Sequence, residues 1–206
     1  MLLEVCFDSE DGLQRALTGG AGRFEVCSRL DLDGLTPSDA LLRAAIETGV
    51  PSVAMVRPRG GSHVWSVAEH AALLRDAERV KHLCAHGLVF GAVTPTAQVD
   101  RDLTEKLVRA AHPLPVTFHR AFDAVTNRIE ALESLIELGV ARILTSGGAK
   151  DAYTGRFEIR ALVQHAAGRI EILPGGGVRA HNAAAILAAT GVRELHSSTP
   201  FPLPTA

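Results

Sequence analysis

Residues 136–147 read IELGVARILTSG, and this stretch contains one junction of the repeating unit that decides the fold. A helical pattern ends at Gly139, an apolar segment follows, and hydroxyl and glycine residues come directly after it. Glycine in this place suits the left-handed conformation that ends many helices. The same pattern, a glycine after a helical segment and before an apolar one, recurs at Gly49 and Gly191. The stretch therefore predicts a helix that leads into a strand of a parallel sheet.

Outward from this stretch, short strand-like segments alternate with helical ones, which is typical of βα units. Eight strands are predicted, at residues 2–7, 23–28, 52–58, 87–93, 115–121, 142–147, 170–174 and 194–198. Eight is the number that closes a (β/α)₈ or TIM barrel. An open doubly wound sheet is the alternative, but neither a strand-order switch nor a GxGxxG motif marks one. We predict one α/β TIM-barrel domain over residues 1–206, with 199–206 as a loose C-terminal tail.

Composition narrows the class of ligand. The 206 residues include 21 Lys and Arg against 23 Asp and Glu, for a net charge of −2, so no basic excess favours nucleic acid. A secretion signal and a membrane-spanning apolar run are both absent from the sequence, which predicts a cytoplasmic protein with no membrane partner. Three cysteines make an odd number, which indicates reduced thiols. A small ligand is the expected partner.

Two cysteines lie in similar segments, LEVC at residues 3–6 and FEVC at residues 24–27. Strand alternation places Glu4 with Cys6 on one face, and Glu25 with Cys27 on another such face. Because adjacent strands lie about 4.8 Å apart, two inward-facing thiols could reach one soft metal ion. The alternative is that both are reduced core residues.

A basic segment, RPRGG, follows the third strand. Arg57 and Arg59 flank a rigid proline before two glycines, an arrangement that suits a carboxylate or phosphate. Alternatively, one arginine pairs with a barrel carboxylate, Glu4 or Glu25. We place Arg57, Glu4 and Glu25 among the candidate catalytic residues and Arg59 among the anion-binding ones.

The fifth strand ends in the polar sequence TFHRAFD at residues 117–123. His119 is the leading candidate for proton transfer, because a neutral imidazole at a barrel mouth can act as acid, base or metal ligand. A hydrogen-bonded histidine in a polar core is the alternative. Arg120 is a candidate anion-binding residue, and Asp123 would orient His119 or pair with Arg120.

The last three strands end in hydroxyls and glycines, where barrels of this kind commonly bind phosphate. These candidate anion-binding residues are Ser146, Gly147, Gly148, Gly175, Gly176, Gly177, His196, Ser197 and Ser198. The glycines could instead serve tight turns alone. A divalent-metal site from Glu4, Glu25, His119 and His196 also stays open.

Several ordered motifs resemble the CutC copper homeostasis family. They are LEVC at 3–6, EVC at 25–27, RPRGG at 57–61, VTFHRAFD at 116–123, LTSGG at 144–148 and ELHSS at 194–198. The resemblance implies a cytoplasmic TIM barrel that forms homo-oligomers, dimers or tetramers. It also implies copper(I) binding through the cysteines that match Cys6 and Cys27. Asp33, Ser62 and His63 depart from the family pattern.

Two functional hypotheses follow. The first is a copper(I)-binding homeostasis protein that uses Cys6 and Cys27. The second is an enzyme acting on a small anionic metabolite at the barrel mouth, in which the arginines and late loops hold the anion and His119 moves a proton. A structural or partner-binding barrel ranks last, because its polar strand ends would be costly to desolvate without use.

Overall fold

The computed structural model describes residues 1–198 and consists of one parallel eight-stranded sheet surrounded by helices. The strands are β1 Leu2–Phe7, β2 Arg23–Val26, β3 Ser52–Met55, β4 Gly87–Phe90, β5 Val116–Phe118, β6 Arg142–Thr145, β7 Glu171–Pro174 and β8 Glu194–Ser198. The hydrogen-bonded order is β7-β6-β5-β4-β3-β2-β1-β8. The end strands β7 and β8 also lie side by side, so the sheet curls into a nearly closed barrel. The predicted TIM barrel is confirmed.

Within residues 1–198 seven α-helices cover the outside of the sheet. They are α1 Glu10–Thr18, α2 Asp39–Glu47, α3 Val67–His82, α4 Arg101–Ala111, α5 Arg128–Glu137, α6 Arg156–Ala166 and α7 Ala180–Thr190, with short 3₁₀ helices at Leu30–Leu32 and Arg120–Ala124. Side-chain N-caps fix several helix starts; Ser66, for example, forms a capping box with Glu69. Gly49, Gly139 and Gly191 have φ of +80°, +78° and +75°, as predicted.

The predicted C-terminal ends of several strands were wrong. β3, β4 and β5 stop at Met55, Phe90 and Phe118, three residues before the expected ends. The first residues beyond β3 and β5 still bond to β4, through Val56 to Val89 and His119 to Phe90, but farther on the backbone bonds to loops: the Val93 N–H donates to the His63 carbonyl at 3.0 Å. Apolar character continues past the strand ends because the βα loops are themselves packed, which alternation alone does not reveal.

The interior of the barrel has two zones. Near the mouth, Cys6, Cys27, Val53, Met55 and Val89 form a small apolar cluster, separate from the larger core between sheet and helices. Deeper, the strand register pairs Glu4 with Arg23 on one side and with His196 on the other. An ionic layer therefore lies beneath the site at the mouth.

No helix in the described part of the chain has the length and apolar character needed to cross a bilayer. The predicted loose tail, residues 199–206, lies outside the described residues.

Candidate functional site

A cavity of about 500 Å³ opens at the C-terminal ends of the strands. Its buried polar lining residues are Cys6, Glu25, His119, His196 and Ser197, and Arg179 is a more accessible one. Its volume lies within the range of small-molecule sites. Its place at the mouth is where barrel enzymes carry function.

Three metal-ligand side chains converge in this cavity. Cys6 Sγ, a Glu25 carboxylate oxygen and a His196 ring nitrogen all lie within 4.8 Å of one another. The register explains this, because Cys6 stands opposite Glu25 and the neighbouring Glu4 stands opposite His196. Cys27 belongs to the same apolar cluster but not to this set of three, since it lies two residues beyond Glu25.

Glu4 orients His196 from below. Its carboxylate accepts from His196 Nδ1 at 2.8 Å and is ion-paired with Arg23. Burial acts to raise the pKa of Glu4, but the hydrogen bond and charge of His196 and the charge of Arg23 outweigh burial and lower that pKa to about 2. Glu4 is therefore a fixed anion of the barrel interior. It does not line the cavity.

The three converging groups differ in their preferred charge. Burial opposes the charged form of His196, but nearby Glu25 and Cys6 and the hydrogen bond to Glu4 raise its pKa well above the usual value. Burial raises the pKa of both the Cys6 thiol and the Glu25 carboxyl. Binding of a metal ion by Cys6 and His196 would have to displace the Cys6 proton and one ring proton of His196.

Cys27 contacts Glu25 but is not one of the three converging groups. Its Sγ donates to the Glu25 carboxylate at 3.5 Å, and burial followed by the charge of Glu25 raises its thiol pKa well above the usual value. Gly34 lies against the same sulfur, and Met55 belongs to the same apolar cluster. This thiol resembles a packed core residue more than a ligand.

His119 contributes a hydrogen-bond donor. Its Nδ1 accepts from the Ala121 N–H at 3.1 Å, so the neutral ring carries its proton on Nε2. Burial, then the charges of His63 and Arg57, lower its pKa well below the usual value. Gly91 makes room for the ring, since a Cβ there would lie 2.4 Å from it. The ring is thus a neutral hydrogen-bond donor, and the proton-transfer role predicted from the sequence stays a prediction.

Arg57 and Arg59 do not line the cavity. Arg57 is 1% exposed and donates to the carbonyls of Leu32 at 2.6 Å, Gly34 at 3.1 Å and Gly61 at 3.0 Å. Arg59 pairs with Glu69 and stacks on Trp65, 4.5 Å from the ring centroid. Both arginines therefore fix loops around the mouth. The arginine that pairs with Glu4 is Arg23.

The loop after β6 already surrounds an anion that belongs to the protein. Asp123 accepts from Thr145 Oγ1 at 2.5 Å, from the Ser146 N–H at 3.1 Å and hydroxyl at 2.8 Å, and from the Gly148 N–H at 3.0 Å. The Gly147 N–H donates to Thr145 Oγ1 at 2.9 Å. Of the predicted anion-binding residues of this loop, Ser146 and Gly148 are thus engaged by the Asp123 carboxylate, and Gly147 is engaged by Thr145. Arg120 binds the same carboxylate at 2.9 Å and also reaches the cavity.

The neighbouring ends of β7 and β8 present the other predicted residues. Gly176, Gly177, Ser197 and Ser198 line the cavity. Gly175 packs inward instead, where a Cβ would lie 2.4 Å from Leu144. These positions agree with the rim predicted after the seventh and eighth strands.

Sequence reasoning missed Arg179, which lines this side of the cavity. Arg179 directly precedes α7, where the helix dipole disfavours a cation. A basic residue between a triple glycine and a helix start was therefore an available signal. His63, one of the residues that depart from the family pattern, also lines the cavity, with its ring centroid 4.7 Å from that of His119.

Comparisons with known proteins place these features in a family. The model of the CutC family matches residues 1–200. A family protein CutC of Pasteurella multocida is 42% identical over 199 residues, 96% of this chain and 82% of that protein. The human copper homeostasis protein cutC homolog is 42% identical over 198 residues, 96% and 72% of the two chains. The crystal structure of CutC from Streptococcus agalactiae, 33% identical, matches with a TM-score of 0.92 and covers 98% of this chain and 100% of that one.

Proposed function

The chain belongs to the CutC family, and from this we propose that it serves copper homeostasis by binding copper(I) through Cys6 and His196, with Glu25 beside them. One observation carries the proposal: three metal-ligand groups meet within 4.8 Å at a solvent-connected cavity. Thiolate and imidazole are ligands that suit copper(I). Met55 adds a thioether to the same lining.

This donor set differs from the cysteine pair expected from the sequence. Cys27 donates to Glu25, lies against Gly34 and does not line the cavity, whereas Cys6 faces the cavity. The proposal therefore replaces the second thiolate with the His196 imidazole. Because the pKa of the Cys6 thiol is raised by burial, copper(I) binding should strengthen as the pH rises.

The test is an anaerobic copper(I) titration of the reduced protein against a competing chelator. Cys6→Ser and Cys27→Ser are a matched pair, since the same change is made at two buried thiols of one cluster. Cys84→Ser controls for metal binding at the exposed thiol. We expect tight binding to disappear in Cys6→Ser and to persist in the other two variants. Equal loss in Cys6→Ser and Cys27→Ser would instead establish the two-thiolate site.

A second candidate function is catalysis on a small anionic metabolite. A single metal ion needs far less room than a cavity of about 500 Å³ provides, and Arg120, Arg179 and the His119 donor also line that cavity. A screen of anionic metabolites for turnover by the metal-free protein tests this candidate. Retention of turnover in Cys6→Ser would separate it from copper binding.

The proposal includes a cytoplasmic location and a homo-oligomer, both suggested by the family resemblance. Light scattering coupled to gel filtration measures the oligomer, with a dimer or tetramer as the expected result. A monomer at micromolar concentration would contradict it.

A further inference from the structure

We infer that the cavity binds a small phosphate ester, with the phosphate at Gly176, Gly177, Arg179 and Ser198 and an oxygen of the organic part near His119. The inference deepens the second candidate function and rests on it. It is separate from the copper site, whose donors are Cys6 and His196. All of these groups line the same cavity.

The Arg179 guanidinium is held at the edge of the cavity with donors to spare. Its Nη1 donates to the Val178 carbonyl at 2.7 Å and to Ser197 Oγ at 3.2 Å, and its Nη2 donates to Ser198 Oγ at 3.3 Å. A guanidinium has five N–H donors, so two of its donors remain for a ligand. Among residues 1–198 no carboxylate forms a salt bridge with Arg179, although it stands at the start of α7. A bound phosphate would neutralise the guanidinium and would also interact favourably with the positive end of the α7 dipole.

The loop before Arg179 adds backbone donors. Gly176 and Gly177 have φ of +94° and +68°, and within the described residues neither N–H has a hydrogen-bond acceptor. Asn182 holds this loop in place, because its side chain accepts from the Arg179 N–H at 2.8 Å and donates to the Gly177 carbonyl at 2.9 Å. The donors are thus fixed before any ligand arrives, which lowers the entropy cost of binding.

Ser197 and Ser198 play different parts. The Ser197 hydroxyl donates to the Val178 carbonyl at 2.8 Å, so it serves to position Arg179. The Ser198 oxygen accepts from Arg179, and its own proton has no acceptor in the structure up to residue 198. Two N–H groups of Arg179, two glycine N–H groups and this hydroxyl make five donors. Three terminal phosphate oxygens can accept all five more readily than one carboxylate can.

Two buried side chains elsewhere in the cavity point independently to an organic ligand. His119 and Glu25 are 5% and 3% exposed, and both line the cavity. His119 Nε2 and Glu25 Oε2 have no hydrogen-bond partner among residues 1–198. A buried polar atom without a partner is costly. His119 Nε2–H is a donor and Glu25 Oε2 is a carboxyl oxygen, so ligand hydroxyls would satisfy both, and a ligand carbonyl oxygen would satisfy His119.

The cavity volume sets the size of the ligand. About 500 Å³ falls in the lower part of the range for small-molecule sites, which suits a short phosphorylated polyol or keto compound. A nucleotide base would need an aromatic or extended apolar surface, and the buried lining here is mostly polar.

The test is isothermal titration of the metal-free protein with glycerol 3-phosphate. Inorganic phosphate measures the phosphate contribution alone, and succinate tests whether any dianion is bound. We expect glycerol 3-phosphate to bind more tightly than either. Equal binding of succinate, or no binding of either phosphate compound, would overturn the inference.

Variants locate the site. Arg179→Gln should weaken glycerol 3-phosphate binding at least tenfold, and Ser198→Ala should weaken it by a smaller factor. Arg169→Gln is the matched control, because Arg169 pairs with Glu133 and does not line the cavity. Unchanged affinity in Arg179→Gln would refute the site. Thermal unfolding of each variant shows that it is folded, and Ser198→Ala supplies the test if Arg179→Gln is not.

Two further measurements separate the proposals. Cys6→Ser should bind glycerol 3-phosphate normally while losing copper(I), and Arg179→Gln should show the reverse. If the phosphate ester binds but stays chemically unchanged on long incubation, as followed by ³¹P NMR, this result supports the inferred site. It would count only against catalysis on that compound.

Discussion

Glu4→Gln removes a charge that the barrel interior has fully enclosed. Glu4 is 0% exposed, and its carboxylate contacts both Arg23 and His196. Its pKa falls from an ordinary 4.5 to about 2. At about 1.4 kcal/mol for each pH unit, the native interactions of the carboxylate contribute about 3 kcal/mol near neutral pH. We therefore expect the free energy of unfolding of the variant to be about 3 kcal/mol lower than that of the wild type near neutral pH.

The sign of the pH dependence follows from the lowered pKa. A carboxyl whose native pKa lies below its unfolded value stabilises the protein above the unfolded pKa and loses that effect as pH falls. The difference between the wild type and Glu4→Gln should thus be largest at pH 5 to 6, shrink below 4.5 and nearly vanish near 2. His196 does not disturb this window, because its pKa is raised and the ring stays protonated in both states there.

Urea unfolding of the metal-free proteins at several pH values measures this difference. Glu171→Gln is the control of opposite sign, since burial raises the pKa of Glu171 and its native carboxyl becomes more favourable as pH falls. A wild-type advantage over Glu4→Gln that stays constant from pH 5 to pH 2.5 would refute the reasoning. It would mean that Glu4 is not an ion-paired carboxylate in the native protein.

Three other substitutions test how the mouth is held together. Gly91→Ala should lower the free energy of unfolding by about 1–3 kcal/mol because its Cβ would lie 2.4 Å from the His119 ring; an equal or larger effect in Gly49→Ala, where only the positive φ opposes a side chain, would contradict this. Asp123→Asn should lower the free energy of unfolding by about 2 kcal/mol and speed amide hydrogen exchange in the loop after β6. Unchanged exchange would argue against the role of Asp123 as an anchor of this loop. Arg57→Lys cannot keep three carbonyl contacts, so we expect a lower melting temperature with unchanged glycerol 3-phosphate affinity; a large loss of affinity would place Arg57 in the site.

The barrel was predictable because each unit carries its own local signals. Glycines such as Gly139 end helices in the left-handed conformation, and short apolar segments follow them. Those signals act within about ten residues, so one chain is enough to read them. Alternation along β1 and β2 likewise placed Cys6 and Glu25 on inward faces.

The site itself depended on contacts that no local pattern encodes. Glu4 and His196 are 192 residues apart in sequence, and their contact depends on the register of β1 with β8. Arg57 was expected to meet an anion but instead donates to backbone carbonyls, which every residue possesses. Asp123 satisfies the loop that looked available for a ligand. In each case the partner was fixed by how neighbouring strands and their loops pack in the folded barrel.

The two proposed ligands should oppose each other. His196 and Ser198 lie two residues apart on β8, and Ser198 stands opposite Cys6, so the copper(I) donors and the phosphate donors share one cavity. Because the pKa of His196 is raised, copper(I) would replace two protons, one from Cys6 and one from the His196 ring, and the cavity would lose one positive charge. That loss disfavours a phosphate anion nearby, and coupling between two ligands is reciprocal. Copper(I) affinity measured in saturating glycerol 3-phosphate should therefore be weaker, and a marked increase would mean that the phosphate ester itself helps to hold the metal.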